Sequence, residues 1–427
     1  MTPNGSSAID RFGVVGFNHR QLPARLRGVL AVDDAWSRKL AEQLRSSRLV
    51  DGVAFVSTCN RQEIVLTAEH PAFAIELVRA QLHTLLEGTD ILPPEPYRHV
   101  GADAVRHVLR VSASLDSLVV GERQITQQLR RAFDRARKAG WMDKLLNGLA
   151  RISVENAKEI HQRTAIGAES VGVYTLAKEI IARETTGIEK PRVAVIGLGE
   201  IGLLTARSLV ADHRFELTLS SRRARSRGEV GTLLESVPFI TLDSLPTLLR
   251  EMDAIVLATG AETPVVTEPL IAGVRAESKK PLVLVDIGIP PQADATTEGV
   301  AGVKLFNLDW FTTTGFGQRP QGREALRQAQ QIVEEGIRRV AEWASIRQFS
   351  DLFDSCDILT EEYKTRIIPD MLKQDFGSLP PEHQRQVFDS MHRLLTSYSE
   401  GIYQTLSRKL THYESPALEL PLEQAKP

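Results

Sequence analysis

Cysteine is nearly missing from this chain: 427 residues carry two, Cys59 and Cys356. Two thiols make neither a disulfide framework nor a metal cluster, and so small a supply fits a reducing cytoplasmic setting. A charge excess is missing as well. Lysine and arginine number 52 against 54 acidic residues, a formal net charge of -2. No global field then draws the protein to nucleic acid, and a polyanion must meet a local basic patch. No uninterrupted apolar run reaches the roughly 18 residues of a spanning helix, so no membrane partner is expected. The opening stretch "MTPNGSSAIDRFGVV" has no basic segment followed by an apolar one, so a secretory leader is not expected either.

What is present is an ordinary globular composition, 42% hydrophobic and 25% charged. The length calls for two or three domains. Short apolar runs, "FGVVGF", "GVAFVST" and "EIVLT", mark mixed strand and helix in the first 70 residues. From about 101 to 186 the pattern turns helical, with Ile125, Leu129, Ala132 and Ala136 at spacings of three and four. After Pro191 come "RVAVIG", "ELTLS", "AIVLAT" and "PLVLVDIGI", continuous apolar runs of the kind parallel strands show when both faces are buried. The segment 311–322, "FTTTGFGQRPQG", reads as a linker. Beyond it Ala325, Ala329, Ile332, Val333, Ile337, Val340 and Ala344 mark a long amphipathic helix. A helical tail of that length commonly buries its apolar stripe against a second copy.

"VAVIGLGEIGLLTARSL" places Gly197, Gly199 and Gly202 in G-x-G-x-x-G register between a strand and a helix. That context makes it a dinucleotide-binding turn, with Leu198, Glu200 and Ile201 as its intervening residues. At the end of the next strand stand Ser220, Ser221, Arg222 and Arg223, where an NAD site would carry an acidic residue. Hydroxyl and guanidinium groups suit a 2′-phosphate, so NADPH is the expected cofactor. The small residues Ala258, Thr259 and Gly260 close a later strand, where a nicotinamide ribose has room.

Cys59 sits in "FVSTCNRQEIV", at a turn beside Asn60 and Arg61. Cation and donors lower a thiol pKa, so this cysteine reads either as a nucleophile or as a buried hydrophobe, whereas Cys356 reads as buried. In "DAVRHVLRVSASLDSLVVGERQITQQLRRAF" a helix, a break at Gly121 and a second helix are expected. His107, Arg110, Ser114 and Ser117 then share one polar stripe, and Gln124 and Gln128 form an i, i+4 pair. With Arg61 for a carboxylate and Glu122 for an ammonium, this set suits a small zwitterion. "RRAFDRARK" adds Arg130, Arg131, Arg135, Arg137 and Lys138, either a polyanion patch or a solvated face.

Together with these motifs, "GFNHRQLPARLR", "STCNRQE", "RTAIGAESVGV", "LVDIGIPPQAD" and "FNLDWF" make the chain resemble the glutamyl-tRNA reductase family across nearly its whole length. The resemblance implies an α/β multidomain fold: an N-terminal α+β catalytic domain (8–164), a Rossmann-like NADPH domain with the start of a long spinal helix (165–311), and a C-terminal helical dimerisation domain (320–416). It implies Cys59 as nucleophile and His107 as a second catalytic residue. Thr58, Asn60, Arg61, Ser117, Glu122, Arg123, Gln124 and Gln128 would hold the glutamyl group, and residues 197–202 with Ser221 and Arg222 the NADPH. The implied reaction reduces glutamyl-tRNA through a cysteine thioester to glutamate-1-semialdehyde, the first step of five-carbon tetrapyrrole synthesis. The implied partners are a second copy in a homodimer and the aminomutase that consumes the aldehyde.

The chain departs from the family pattern at Gln21, Leu22, Gly28, Ser114, Gln127, Ser221 and Pro291. Two other readings therefore stand beside the first: a paralogue binding tRNA, tetrapyrrole or a partner without turnover, and a reductase of another aminoacyl-tRNA.

Overall fold

The computed structural model describes residues 7–30, 34–46, 48–58, 60–86, 94–166, 172–222, 231–276, 280–316 and 323–411. The chain divides into two compact units, residues 10–337 and residues 338–427 with 1–9.

The larger unit begins with a four-stranded antiparallel sheet in the order β2-β3-β1-β4: β1 Phe12–Asn18, β2 Gly52–Ser57, β3 Arg61–Thr67 and β4 Tyr97–Val100. Every residue of β3 is buried, so its apolar positions read as one run and do not alternate. One face packs Val15, Phe17, Phe55 and Leu66 against helices α1 Ala24–Val29, α2 Asp34–Ser46 and α3 Pro71–Leu86, through side chains such as Leu40, Leu44, Val78 and Leu82. The other helices of this half are α4 Ala102–Ser112, α5 Arg123–Lys138, α6 Lys144–Arg163 and α7 Val173–Glu184.

The end of α4 corrects the sequence reading. The helix stops at Ser112, so Ser114 and Ser117 do not lie on a stripe with His107 and Arg110, and the break runs from 113 to 122 with Gly121 at its far end. Ser114 N–H bonds back to Val111 O at 2.9 Å and Leu115 N–H to Arg110 O at 2.9 Å. That pair is a Schellman cap, with Ser114 at the left-handed position (φ 58) usually held by glycine.

The second half is a six-stranded parallel sheet in the order β10-β9-β8-β5-β6-β7: β5 Arg192–Ile196, β6 Glu216–Ser221, β7 Phe239–Thr241, β8 Ala254–Leu257, β9 Leu282–Asp286 and β10 Val303–Asn307. Taking β5 as the first strand, this is the doubly wound order 3-2-1-4-5-6, whose switch point lies between β5 and β8. Helices α8 Glu200–Val210, α9 Leu245–Glu251, α10 Glu268–Arg275 and α11 Leu308–Thr314 connect or flank the strands. Part of the expected linker is therefore helix. Asn307 Oδ1 accepts from Trp310 N–H at 2.8 Å to start α11, Phe311 is fully buried, and Gly315 at φ 65 ends it. Burial of the aromatic residues outweighs the low helix propensity of three threonines.

Asp309 of α11 joins the two halves. Its carboxylate accepts from Ala24 N–H at 3.0 Å, at the first turn of α1, and lies 3.7 Å from the buried Arg27 guanidinium. The 40-residue helix α12 Arg323–Glu362 begins in this unit, where Ala329, Ile332, Val333 and Ile337 are buried. Asn156 Nδ2 donates to Ile332 O at 2.8 Å, and Arg106 pairs with Glu334 at 2.9 Å. The smaller unit holds the rest of α12 with α13 Ile368–Asp375 and α14 Pro381–Thr411.

Candidate active site

Strand register gathers the first group of residues. Ser57 of β2 opposes Gln62 of β3, and Asn18 of β1 opposes Arg61. The β2–β3 hairpin therefore turns at 58–60. Thr58 N–H donates to Arg61 O at 2.9 Å and Asn60 N–H to Thr58 Oγ1 at 3.2 Å, while Asn60 O accepts from His19 N–H at 2.7 Å. Cys59, between them, lies outside the described residues, as do Arg223 and the Cys356 side chain.

Next to the turn is a buried charge cluster. Glu63 Oε1 accepts from Arg61 Nη1 at 2.8 Å, from His107 Nε2 at 2.8 Å and from the Tyr97 hydroxyl. Arg61 and Glu63 side chains are each 1% exposed. Burial alone would raise the Glu63 pKa, but Arg61 and then His107 overcome it and hold the carboxyl well below its usual range. An ionised carboxylate only accepts, so His107 donates through Nε2. Burial and the Glu63 charge push Tyr97 well above its ordinary value, keeping it a donor. Arg61 Nη2 also donates to Asp116 O at 2.7 Å, and the Asp116 carboxylate takes two bonds from Arg110, at 2.9 and 2.7 Å. This ties the loop carrying Ser117 to Arg61. His99 stacks on His107 with ring centroids 4.7 Å apart. A cavity of about 550 Å³ opens beside Arg61, Tyr97, His99, His107 and Arg110.

The second group lies around the start of α5. Glu122 and Gln124 are buried, and with Arg123, Gln127, Glu200 and Arg207 they line a separate cavity of about 400 Å³. Burial raises the Glu122 pKa from its ordinary 4.5 to about 7, opposed by an N–H from Val173. Glu122 Oε2 and both amide atoms of Gln124 are buried here without a protein partner, as are Asn60 Nδ2, Ser117 Oγ and Gln128 Oε1 among the other expected site residues. Such atoms are rare in folded proteins, where water, an ion or a ligand supplies the missing partner. Thr58, Ser117 and Gln128 line neither cavity.

The glycine turn fits a nucleotide pyrophosphate. At Gly197 (φ 97) an added Cβ would lie 2.6 Å from Ala258 O, and at Gly202 one would lie 1.8 Å from Gly197 O. Close backbone packing excludes side chains at both. At Gly199, the N-cap of α8, a Cβ would meet nothing within 4 Å. That is the open space a diphosphate needs at a helix N-terminus. Ser220 Oγ is buried without a partner at the end of β6, followed by half-buried Ser221 and exposed Arg222. Glu200, the acidic residue at this turn, pairs with Arg131 of α5.

The basic residues of α5 have different fates. Arg130 and Arg137 both pair with Asp134, and Arg131 with Glu200. No described acidic group pairs with Arg135 or Lys138. The sequence reading missed Glu63, Tyr97 and Asp116. One signal was available: "RQE" puts three consecutive polar residues at the head of an otherwise apolar strand, where at least one must point inward. Of the departures, Gln21 and Gln127 line cavities, Leu22 is core, and Ser114 occupies the Schellman position.

Comparison with known proteins gives two family matches. "Glutamyl-tRNAGlu reductase, N-terminal domain" matches residues 15–164 and "Shikimate / quinate 5-dehydrogenase" residues 176–313. The glutamyl-tRNA reductase of Synechococcus sp. (strain JA-3-3Ab) is 30% identical over 77% of this chain and 77% of its own. That of Rubrobacter xylanophilus is 29% identical over 88% of this chain and 86% of its own. Among solved structures, the glutamyl-tRNA reductase from Methanopyrus kandleri is similar at 21% identity and a TM-score of 0.47, covering 95% of this chain and 98% of that one.

Proposed function

The chain belongs to the glutamyl-tRNA reductase family, and from that premise we infer that it reduces tRNA-bound glutamate to glutamate-1-semialdehyde, the first step of tetrapyrrole synthesis. The observation that carries the inference is the buried Glu63 carboxylate holding Arg61, His107 and Tyr97 at the head of the strand that follows Cys59.

The chemistry assigned to these residues runs as follows. Cys59 thiolate attacks the ester carbonyl, the tRNA ribose hydroxyl leaves with a proton, and a thioester forms. Held at residues 197–202, NADPH would supply the hydride that takes the thioester to the aldehyde level. The resulting hemithioacetal collapses to aldehyde and thiol. His107 is oriented by Glu63, which suits it to general acid–base work at either step. Arg61 keeps its positive charge and, beside its Glu63 pair, an unpartnered Nε that suits a carboxylate, and Glu122 with the Gln124 amide suits the ammonium. Residues 197–202, Ser221 and Arg222 would hold NADPH, Arg222 at the 2′-phosphate.

Homodimerisation is assigned to the smaller unit. There Ile346, Ile358, Leu359, Leu394 and Tyr398 are 53–75% exposed on α12 and α14. Large apolar side chains exposed in such number on one unit are the kind of surface that a protein partner covers. The product is a reactive α-amino aldehyde, so direct transfer to a consuming aminomutase fits its chemistry.

The test is turnover. Wild-type protein with glutamyl-tRNA and NADPH should form semialdehyde in step with NADPH loss, and Cys59→Ser should form none. Substantial product from Cys59→Ser would remove the thioester route, and none from either protein would remove the substrate assignment.

A further inference from the structure

The substrate of the proposed reaction is a polyanion, yet the cavity beside His107 is close to charge-balanced. Three of its four arginines are already engaged, Arg61 with Glu63, Arg106 with Asp103 and Glu334, and Arg110 with Asp116, which leaves Arg20 alone without an acidic partner among the described residues. A second groove of about 310 Å³ differs in every respect that matters to RNA. It runs between α2, the end of β2 and the C-terminal half of α5. Arg38, Arg135 and Lys138 line it, and no acidic residue does. All three cations are exposed, and none has an acidic partner among the described residues. Its floor is aromatic. Phe55 meets Trp141 edge-on at 5.8 Å and Trp36 at 5.9 Å, and Trp141 is only half-buried. Ser57, two residues before Cys59, stands at its rim.

We propose that this groove receives the single-stranded 3′ end of the aminoacylated tRNA, with Arg38, Arg135 and Lys138 on its phosphates and Trp141 against a base. The proposal rests on the aminoacyl-tRNA reading above and adds the route by which the ester reaches Cys59. Unpaired cations over an aromatic floor form the site type that binds single strands: charge tracks the backbone and a ring supplies a stacking face. The volume lies at the lower end of small-ligand sites, roughly 300–1,000 Å³, which suits an unpaired nucleotide and not a duplex. The groove also gives the overall charge of -2 a physical sense, because the polyanion meets local and uncompensated cations.

The test separates the groove from the chemistry. Deacylated tRNA, and a short RNA copying its 3′ single strand, are titrated by fluorescence anisotropy at several salt concentrations. The proteins are full-length wild type, Arg38→Gln, Arg135→Gln, Lys138→Gln and the triple variant. Arg137→Gln is the control, a cation on the same helix already paired with Asp134. Each groove variant should weaken binding of both RNAs several-fold and lower the slope of log K against log salt by about 0.7 per lost phosphate contact. Arg137→Gln should match wild type, and NADPH affinity should stay constant throughout as the check on folding. In turnover, KM for glutamyl-tRNA should rise with kcat unchanged. Wild-type affinity and slope in the triple variant would overturn the proposal, as would an equal loss in Arg137→Gln. If RNA binds through the groove but no aminoacyl-tRNA is reduced, the groove stands and the reductase reading fails.

Discussion

Changing Glu63 to glutamine should cost this protein a large part of the stability of its N-terminal domain. The carboxylate is buried and accepts three donors on one oxygen, two of them from Arg61 and His107 at 2.8 Å. Glutamine keeps the shape but removes the charge, which leaves the Arg61 guanidinium (1% exposed) in a low-dielectric site without its ion-pair partner. Breaking a buried pair from one side costs about 3–5 kcal/mol, a sizeable share of a domain stability of about 5–15 kcal/mol. The pH dependence follows from the sign of the shift. The folded pKa is depressed, so the contribution is present above the unfolded carboxyl value and is lost as pH falls through it toward the folded value. Hydrogen exchange of the β3 amides measures the loss locally, without averaging over the second unit. Arg61→Gln and the double variant complete a cycle, with a coupling of about 2 kcal/mol or more expected for residues in contact. A loss below about 1 kcal/mol together with unchanged turnover would refute the reasoning, because it would mean that Arg61 draws little of its compensation from Glu63.

Three further outcomes are expected. Ser114→Ala should destabilise by about 1 kcal/mol, since it loses the Oγ bond to Val119 O at 3.2 Å and keeps the left-handed backbone. Ser114→Gly should be near neutral, relief of the αL conformation offsetting the lost bond, and chemical denaturation that ranks alanine above glycine would contradict this. Arg222→Ala should weaken NADPH roughly tenfold or more and leave NADH within about twofold; equal losses in fluorescence titration would exclude a 2′-phosphate contact. Glu122, raised by burial to about 7, favours the fold below the unfolded carboxyl value and withdraws that contribution as pH rises to about 7. At about 1.36 kcal/mol per unit the difference reaches about 3 kcal/mol. Glu122→Gln should therefore flatten the fall in Tm between pH 5 and 8 while weakening glutamyl-tRNA binding; a Tm–pH profile parallel to wild type would show that Glu122 is ionised throughout.

The sheet of the nucleotide domain was legible because both its faces are buried: "RVAVI", "AIVL" and "LVLVD" have no polar position to disguise a strand. The glycine turn was legible because sterics leave little choice at Gly197 and Gly202. Less of the catalytic side could be read. The helix period after His107 continues through Ser114 and Ser117, and nothing local signals the Schellman cap when serine replaces glycine at its left-handed position. Asp309 gives no sequence sign that it caps a helix starting at Ala24, because chain separation hides the contact. Glu63 stands in "STCNRQE" with no local feature that marks its role. A strand residue shows its period in sequence, not what converges on it from β4 and α4.

Two buried carboxylates show how the fold separates structural from functional charge. Asp286 and Glu122 are both raised by burial, to about 6 and about 7. The Asp286 carboxylate accepts N–H groups from Gly288, Gln292 and Ala293, at 3.0, 2.6 and 2.9 Å, and so fixes the loop after β9. Its hydrogen bonding is complete and asks for nothing more. Glu122 takes one N–H from Val173 and leaves Oε2 unpartnered, near equally unpartnered Gln124. A buried polar atom left in that condition costs about 1–3 kcal/mol, and several in one region are not retained for stability. The cost has a physical purpose if a zwitterion supplies the missing partners, because its ammonium both satisfies Oε2 and draws the Glu122 proton off. Binding of the glutamyl group should then lower the Glu122 pKa and release a proton near pH 7. Calorimetric titration of glutamyl-tRNA in buffers of different ionisation enthalpy would count that proton in wild type and find it missing in Glu122→Gln. Equal proton release in the two proteins would assign Glu122 to the same structural role as Asp286.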